Sequence, residues 1–94
     1  MMFVYTVWFR NNAAELDDQD REWPACILID ANTEADAKAW GDHLARRFSA
    51  THVNEEVLKS EVLTKNDPMY RDVSCDYTPV VSFGEEASDE KIGW

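Results

Sequence analysis

Four side chains in the sequence have the nucleophilicity or pKa that covalent or acid–base chemistry near neutral pH requires: Cys26, Cys75, His43 and His52. Their neighbours argue against such use. Cys26 lies in Trp23-Pro24-Ala25-Cys26-Ile27-Leu28-Ile29, an apolar run where a thiolate is poorly solvated and the thiol behaves as a small buried hydrophobe. Cys75 lies in Asp72-Val73-Ser74-Cys75-Asp76, whose carboxylates disfavour the thiolate. His43 falls beside the apolar stripe of a predicted helix. His52 falls just past that helix's C-terminus, where the dipole favours an imidazolium. Both read as satisfied or solvated histidines, and no catalytic residue is assigned.

Metal and nucleotide signatures are missing as well. Zinc would have to draw on the same two cysteines and two histidines, none of them spaced as Cys-x-x-Cys or His-x-x-x-His. Asp17-Asp18-Gln19-Asp20-Arg21-Glu22 alternates oxygen ligands but lacks the turn glycine and the twelfth-position glutamate of a calcium loop. Gly41, Gly84 and Gly93 are isolated, so no phosphate-cradling loop and no nucleophile elbow can form. With 19 Asp and Glu in the chain, neighbouring carboxylates carry no glycosidase or nuclease information. The expectation is a protein without cofactor, without metal and without enzymatic activity of its own.

Charge and aromatic content are the informative excess. Nineteen acidic against nine basic residues leave a net charge of −10. Such a surface repels phosphate backbones and anionic membranes and attracts basic proteins, so the expected partners exclude nucleic acid and membrane. Of four tryptophans, Trp40 belongs to the helix stripe and Trp8 to a strand, whereas Trp23 and Trp94 border acidic segments. Aromatic anchors ringed by charge compose a protein-binding surface. The candidate partner-binding residues are Asp17, Asp18, Asp20, Glu22 and Trp23, with Trp94 as a second anchor; burial in the core is the alternative for both tryptophans. On this reading, reversing Asp17, Asp18 and Asp20 to Lys weakens partner capture and its salt dependence.

The elements that must position these residues follow from periodicity. Residues 2–10 place Phe3, Tyr5, Val7 and Phe9 on one face and Val4, Thr6 and Trp8 on the other, a strand that is apolar on both sides. Residues 11–22 form a long acidic loop, and 23–31 a second strand buried on two sides. Thr33 offers an N-cap to a helix running to about residue 50, with Glu34 and Asp36 in its first turn and Arg46 and Arg47 towards its end. Ala37, Trp40, Gly41, Leu44 and Phe48 make its apolar stripe, and Gly41 signals a close approach to another backbone or to the sheet. Residues 53–65 fit either a strand or a helix, the strand being preferred. Pro79 to Phe83 read as a last short strand. The acidic tail 85–94 ends in Ile92 and Trp94, which are apolar enough to dock.

Ninety-four residues support a single domain spanning 1–94. Its expected class is α+β: a two-layer sandwich, β-β-α-β-β, with a mostly antiparallel sheet and one main helix on one face. The Ala31-Asn32-Thr33-Glu34 turn leading into an Ala-rich helix resembles ferredoxin-like domains, which implies that sandwich and transfers no residue roles. One helix covers one sheet face only, so a two-fold homodimer through Val4, Thr6 and Trp8 is the simplest cover for the other. No run of about 18 apolar residues occurs, and Met1-Met2-Phe3-Val4-Tyr5 lacks the features of a secretory signal, so a cytoplasmic location is expected.

Three functions fit. The preferred one is a small acidic, non-enzymatic interaction protein that binds a protein partner, basic in one version, in the manner of an immunity protein or inhibitor. The second is a dimeric small-molecule-binding or regulatory domain, with Tyr5, Tyr70, Tyr77, Arg10 and Arg71 as contributors to its cleft. The third is a small cofactor-independent enzyme of the monooxygenase or isomerase kind, which needs His43 or His52 inside a pocket.

Overall fold

The computed structural model describes residues 1–15, 17, 21–63 and 78–94. Strands β1 (Met2–Asn11) and β2 (Glu22–Asp30) form an antiparallel hairpin, followed by helix α1 (Glu34–Thr51), strand β3 (Glu55–Leu63), strand β4 (Val80–Ser82) and a short helix α2 (Asp89–Ile92). The sheet order is β3-β1-β2-β4. β3 pairs antiparallel with the other side of β1, and β4 pairs parallel with β2. α1 thus connects two parallel strands, β2 and β3, that flank β1. The α+β class, the four-stranded sheet and the single main helix stand; the ferredoxin-like arrangement, β-α-β-β-α-β, is not established by this order. Among the described residues no helix is long and apolar enough to cross a membrane.

Alternation along β1 divides the core. Phe3, Tyr5, Val7 and Phe9 face α1 and pack with Ile27, Ile29, Leu44 and Phe48, while Val4 joins Leu28 and Leu63 in a smaller cluster on the opposite face. β2 departs from expectation. Only Ile27, Leu28 and Ile29 are buried in succession, and its first half alternates exposed with half-buried residues. Cys26 is accordingly exposed rather than a buried hydrophobe: it projects on the face away from α1, with Sγ 3.5 Å from Thr6 Oγ1. The segment that was open between helix and strand is β3, and the cause of its mixed pattern is a bulge. Trp8 pairs with Lys59 and Phe9 with Val57, which leaves Leu58 as the extra residue.

α1 begins where Thr33 Oγ1 accepts the Asp36 amide at 3.1 Å. Its Gly41 lies against the buried Tyr5 ring, where a Cβ would overlap the ring carbons. That is the close approach the glycine signals. The Tyr5 hydroxyl donates to Asp42 Oδ1 (2.7 Å), as does Ser60 Oγ (2.5 Å), while Lys38 Nζ donates to Asp42 Oδ2 (2.9 Å) and to Ser60 Oγ (3.0 Å). Burial, together with the hydrogen bond given to Asp42, pushes the Tyr5 phenol well up. For Asp42, partial burial pushes the carboxyl up, but the hydrogen bonds from Ser60, Tyr5 and Lys38 outweigh it and hold it below its ordinary value. A depressed folded pKa adds stability above the unfolded value, near 3.8, and loses it as pH falls through the folded value. Unfolding free energy measured by urea titration is therefore expected to decline as pH drops below about 4, and Asp42→Asn to flatten that decline. An unchanged acid slope in Asp42→Asn would remove Asp42 from this role.

The last turn of α1 contains no basic residue, contrary to the expected dipole pairing of Arg46 and Arg47. Arg47 instead holds the C-terminal tail. Nη1 lies 2.9 Å from Glu86 Oε2, while Nη2 donates to the Ala87 carbonyl and lies 3.4 Å from Asp89 Oδ1. Trp40 Nε1 donates to the Glu85 carbonyl at 3.0 Å, Ser88 caps α2, and Gly93 ends it at a φ of 84°. Ala87 and Ile92 are buried by this docking. Arg47→Ala is expected to cost about 1–3 kcal/mol, since it removes the donor to the Ala87 carbonyl and one of two partners from each of Glu86 and Asp89, which keep His43 and Trp94. Faster amide exchange over residues 85–94 and red-shifted tryptophan emission are the readouts; unaltered exchange there would show that the tail docks without Arg47.

Candidate functional site

The turn that opens the acidic loop is built by Asn11. Its carbonyl accepts the Ala14 amide (3.2 Å), its Oδ1 accepts the Ala13 amide (2.9 Å), and its own amide donates to Arg21 across the hairpin (2.6 Å). The next residue reaches a different part of the chain: the Asn12 amide donates to the Asn54 carbonyl at 2.7 Å. Register continues this juxtaposition, with Asn11 opposite Glu55, and Arg10 opposite Glu56 on one side and Glu22 on the other. The loop residues Glu15 and Asp17 therefore share one end of the sheet with Glu22, Glu55 and Glu56. Glu15, Asp17, Glu22 and Glu56 are exposed. Arg10 lies 4.0 Å from Glu56, a separation that neutralises little at a solvated surface.

Apolar surface lies within this charge. Val53, in the turn between α1 and β3, is 90% exposed. Trp23 is half-buried: its ring packs on Phe9 (4.8 Å between centroids) and meets Phe48 edge-on (6.2 Å), and Nε1 donates to Glu55 Oε2 at 3.0 Å. Trp94 is half-buried on the same two rings, 5.5 Å from Phe9 and 5.8 Å from Phe48, with Nε1 3.3 Å from Asp89 Oδ1. His52 stacks on Phe48 at 4.1 Å. The two proposed anchors, 71 residues apart in sequence, thus converge on one aromatic cluster. Each packs against the core and keeps part of its surface exposed.

Of the residues singled out in the sequence, Asp17, Glu22, Trp23 and Trp94 are described, while Asp18 and Asp20 lie outside the described residues, as do Cys75, Tyr70, Arg71 and Tyr77. Glu55, Glu56 and Val53 had no place in the sequence reading. Their signal was the Glu55-Glu56 pair at the start of β3, which becomes meaningful only through the pairing of β3 with β1. Val4 is wholly buried within the protomer, so it has nothing to offer a second copy. Thr6 and Trp8 remain half-exposed on that face, Trp8 with Lys59 Nζ 5.7 Å from its ring centroid.

Both histidines are exposed. His43 stacks on Trp40 at 4.7 Å and lies 2.6 Å from Glu86 Oε1, its side chain 47% exposed; His52 is exposed as the C-cap of α1. The contact with His43, joined by Arg47, holds the Glu86 carboxyl below its ordinary value. Tyr5 is committed to Asp42 and closed off from solvent, and Arg10 lies beside Glu56, so neither lines a cleft with the other. Among the described residues no group of three or more His, Cys, Asp or Glu side chains converges as metal ligands would. The chain matches no protein-family model, and neither curated proteins nor solved structures contain a significant match to it.

Proposed function

We propose that this protein is a small acidic binding module, without catalytic activity of its own, that engages a basic protein partner in the manner of an immunity protein or inhibitor. The observation that carries the reading is the pairing of β3 with β1, which adds Glu55, Glu56 and the exposed Val53 to the end of the sheet bearing Glu15, Asp17, Glu22 and Trp23. Carboxylates on two strands and a loop outnumber Arg10 and Arg21 at this end, leaving a net negative field that speeds encounter with a cationic surface, and the exposed parts of Trp23 and Val53 supply apolar contact. The net charge of −10 speaks against nucleic-acid and membrane partners.

The test is capture from lysate of the source cell on immobilised wild-type protein, with the quadruple variant E15K/D17K/E22K/E56K as control and elution by rising salt. The expected result is a stoichiometric basic protein, released by salt and not retained by the variant. Equal retention by both proteins would reject this surface as the contact.

A further inference from the structure

Residues 85–94 are fastened to the domain in two different ways. At the foot, the Glu85 amide donates to the Ser82 carbonyl (2.9 Å) across Gly84, whose φ of 88° is a left-handed turn conformation, and the Glu85 carbonyl accepts from Trp40 Nε1 (3.0 Å). Beyond the foot the main-chain hydrogen bonds close within the segment: the Ala87 amide donates to Glu85, Ile92 to Ser88 and Gly93 to Asp89. Side chains supply the hold on the domain. Arg47 reaches Glu86, the Ala87 carbonyl and Asp89, His43 reaches Glu86, and Ile92 and Trp94 pack in the cluster that contains Phe9 and Phe48. α2 is a single turn, too short to persist once it leaves this surface. Its ion pairs are solvated, the Glu86 side chain being 57% exposed and that of Asp89 32%, and are therefore open to screening by salt.

What the segment covers is apolar. Phe9 and Phe48 are buried, and Trp94 lies on the same two rings that carry Trp23. We infer that residues 86–94 form a latch, hinged at Gly84 and Glu85 and pinned by Arg47, that opens as one unit and uncovers the surface of Phe9, Trp23 and Phe48 while the sheet stays intact. Two contacts make it one unit. Asp89 lies 3.4 Å from Arg47 Nη2 and 3.3 Å from Trp94 Nε1, so releasing the arginine loosens the anchor and the ring together. The ladders that join β1 to β2 and β3 are built without the segment, and opening leaves them whole. Salt is the physical control, because it weakens the solvated Arg47 pairs and leaves the buried packing of the sheet untouched. The latch is a property of the free chain and stands independently of the proposed partner binding.

The test is native-state amide exchange of the full chain at low and high sodium chloride, on the wild type and on R47A, with fluorine NMR of both proteins carrying 5-fluorotryptophan. Thermal melts check that R47A folds, and the wild-type salt series carries the test without it. The Ile92 and Gly93 amides are expected to exchange together, about a hundredfold or more faster than those of Tyr5 and Val7 in the central strand. High salt is expected to speed them about tenfold in the wild type, and R47A to speed them about tenfold at low salt while removing most of the salt response. In R47A the Trp94 and Trp23 resonances are expected to shift together, with Trp8, on the far face of the sheet, as the stationary control. Ile92 and Gly93 amides that exchange only as slowly as those of β1 would overturn the inference, because the segment would then open only on global unfolding. So would exchange there that is indifferent to salt or unchanged by R47A, or a Trp94 shift that leaves Trp23 in place.

Discussion

Gly41→Ala is expected to destabilise the fold by about 2 kcal/mol or more, although alanine in a helix interior ordinarily adds about 1 kcal/mol over glycine. The reversal of sign comes from one contact. An added methyl group at residue 41 meets the Tyr5 ring, and that ring is fully buried with its hydroxyl fixed on Asp42. Relief requires α1 to lift from the sheet, which strains the Asp42–Ser60–Lys38 hydrogen bonds and opens the packing of Leu44 and Phe48. For a domain of this size the loss corresponds to a fall of about 10 °C or more in Tm. Pairing the substitution with Tyr5→Leu gives the decisive control. Once the ring is shortened, G41A is expected to become close to neutral, and a G41A cost that persists in the Y5L background would show that the glycine is needed for another reason.

The second large effect concerns association. E15K/D17K/E22K/E56K changes the charge at one end of the sheet by eight units, four carboxylates replaced by four ammonium groups. The expected consequence is a fall in association rate with the basic partner of about tenfold to a hundredfold at low salt, shrinking as ionic strength rises. Trp23→Ala acts differently. It removes a ring packed on Phe9 and a donor to Glu55, so its effect is expected chiefly in the dissociation rate, by about tenfold. Stopped-flow or surface-binding kinetics separate the two. A quadruple variant whose association rate matches the wild type at low salt would rule out electrostatic steering by this end.

Local features of the fold were legible where chemistry is local. The double-sided alternation of β1, the Thr33 cap and the apolar stripe of α1 each depend on a few neighbouring residues, and each is observed where it was expected. Gly41 announced a close approach, but Tyr5 as its counterpart lies 36 residues away and could be found only in the packed structure. β3 was ambiguous because Val57 and Leu58, both half-buried, interrupt alternation; the bulge that accommodates them also sets the register that brings Glu56 opposite Arg10. For that reason the loop and Trp23 were visible in the sequence as a charged patch, while Glu55, Glu56 and Val53 were not. The arginine near the end of α1 likewise suited a dipole argument, yet three oxygens of the tail at Glu86, Ala87 and Asp89 offered it stronger hydrogen bonds. The first half of β2, Cys26 included, is more exposed than its apolar composition suggests, because composition alone does not reveal which stretch of a strand its neighbours cover.

Amide hydrogen exchange on the purified complex, compared with the free chain, shows whether the acidic end is the contact surface for a basic protein partner. Protection is expected at residues 11–15, 21–23 and 52–57, which share no continuous stretch of sequence and come together only through the pairing of β1 with β2 and β3. Protection confined to other surfaces, with these three segments exchanging as in the free protein, would show that the partner binds elsewhere.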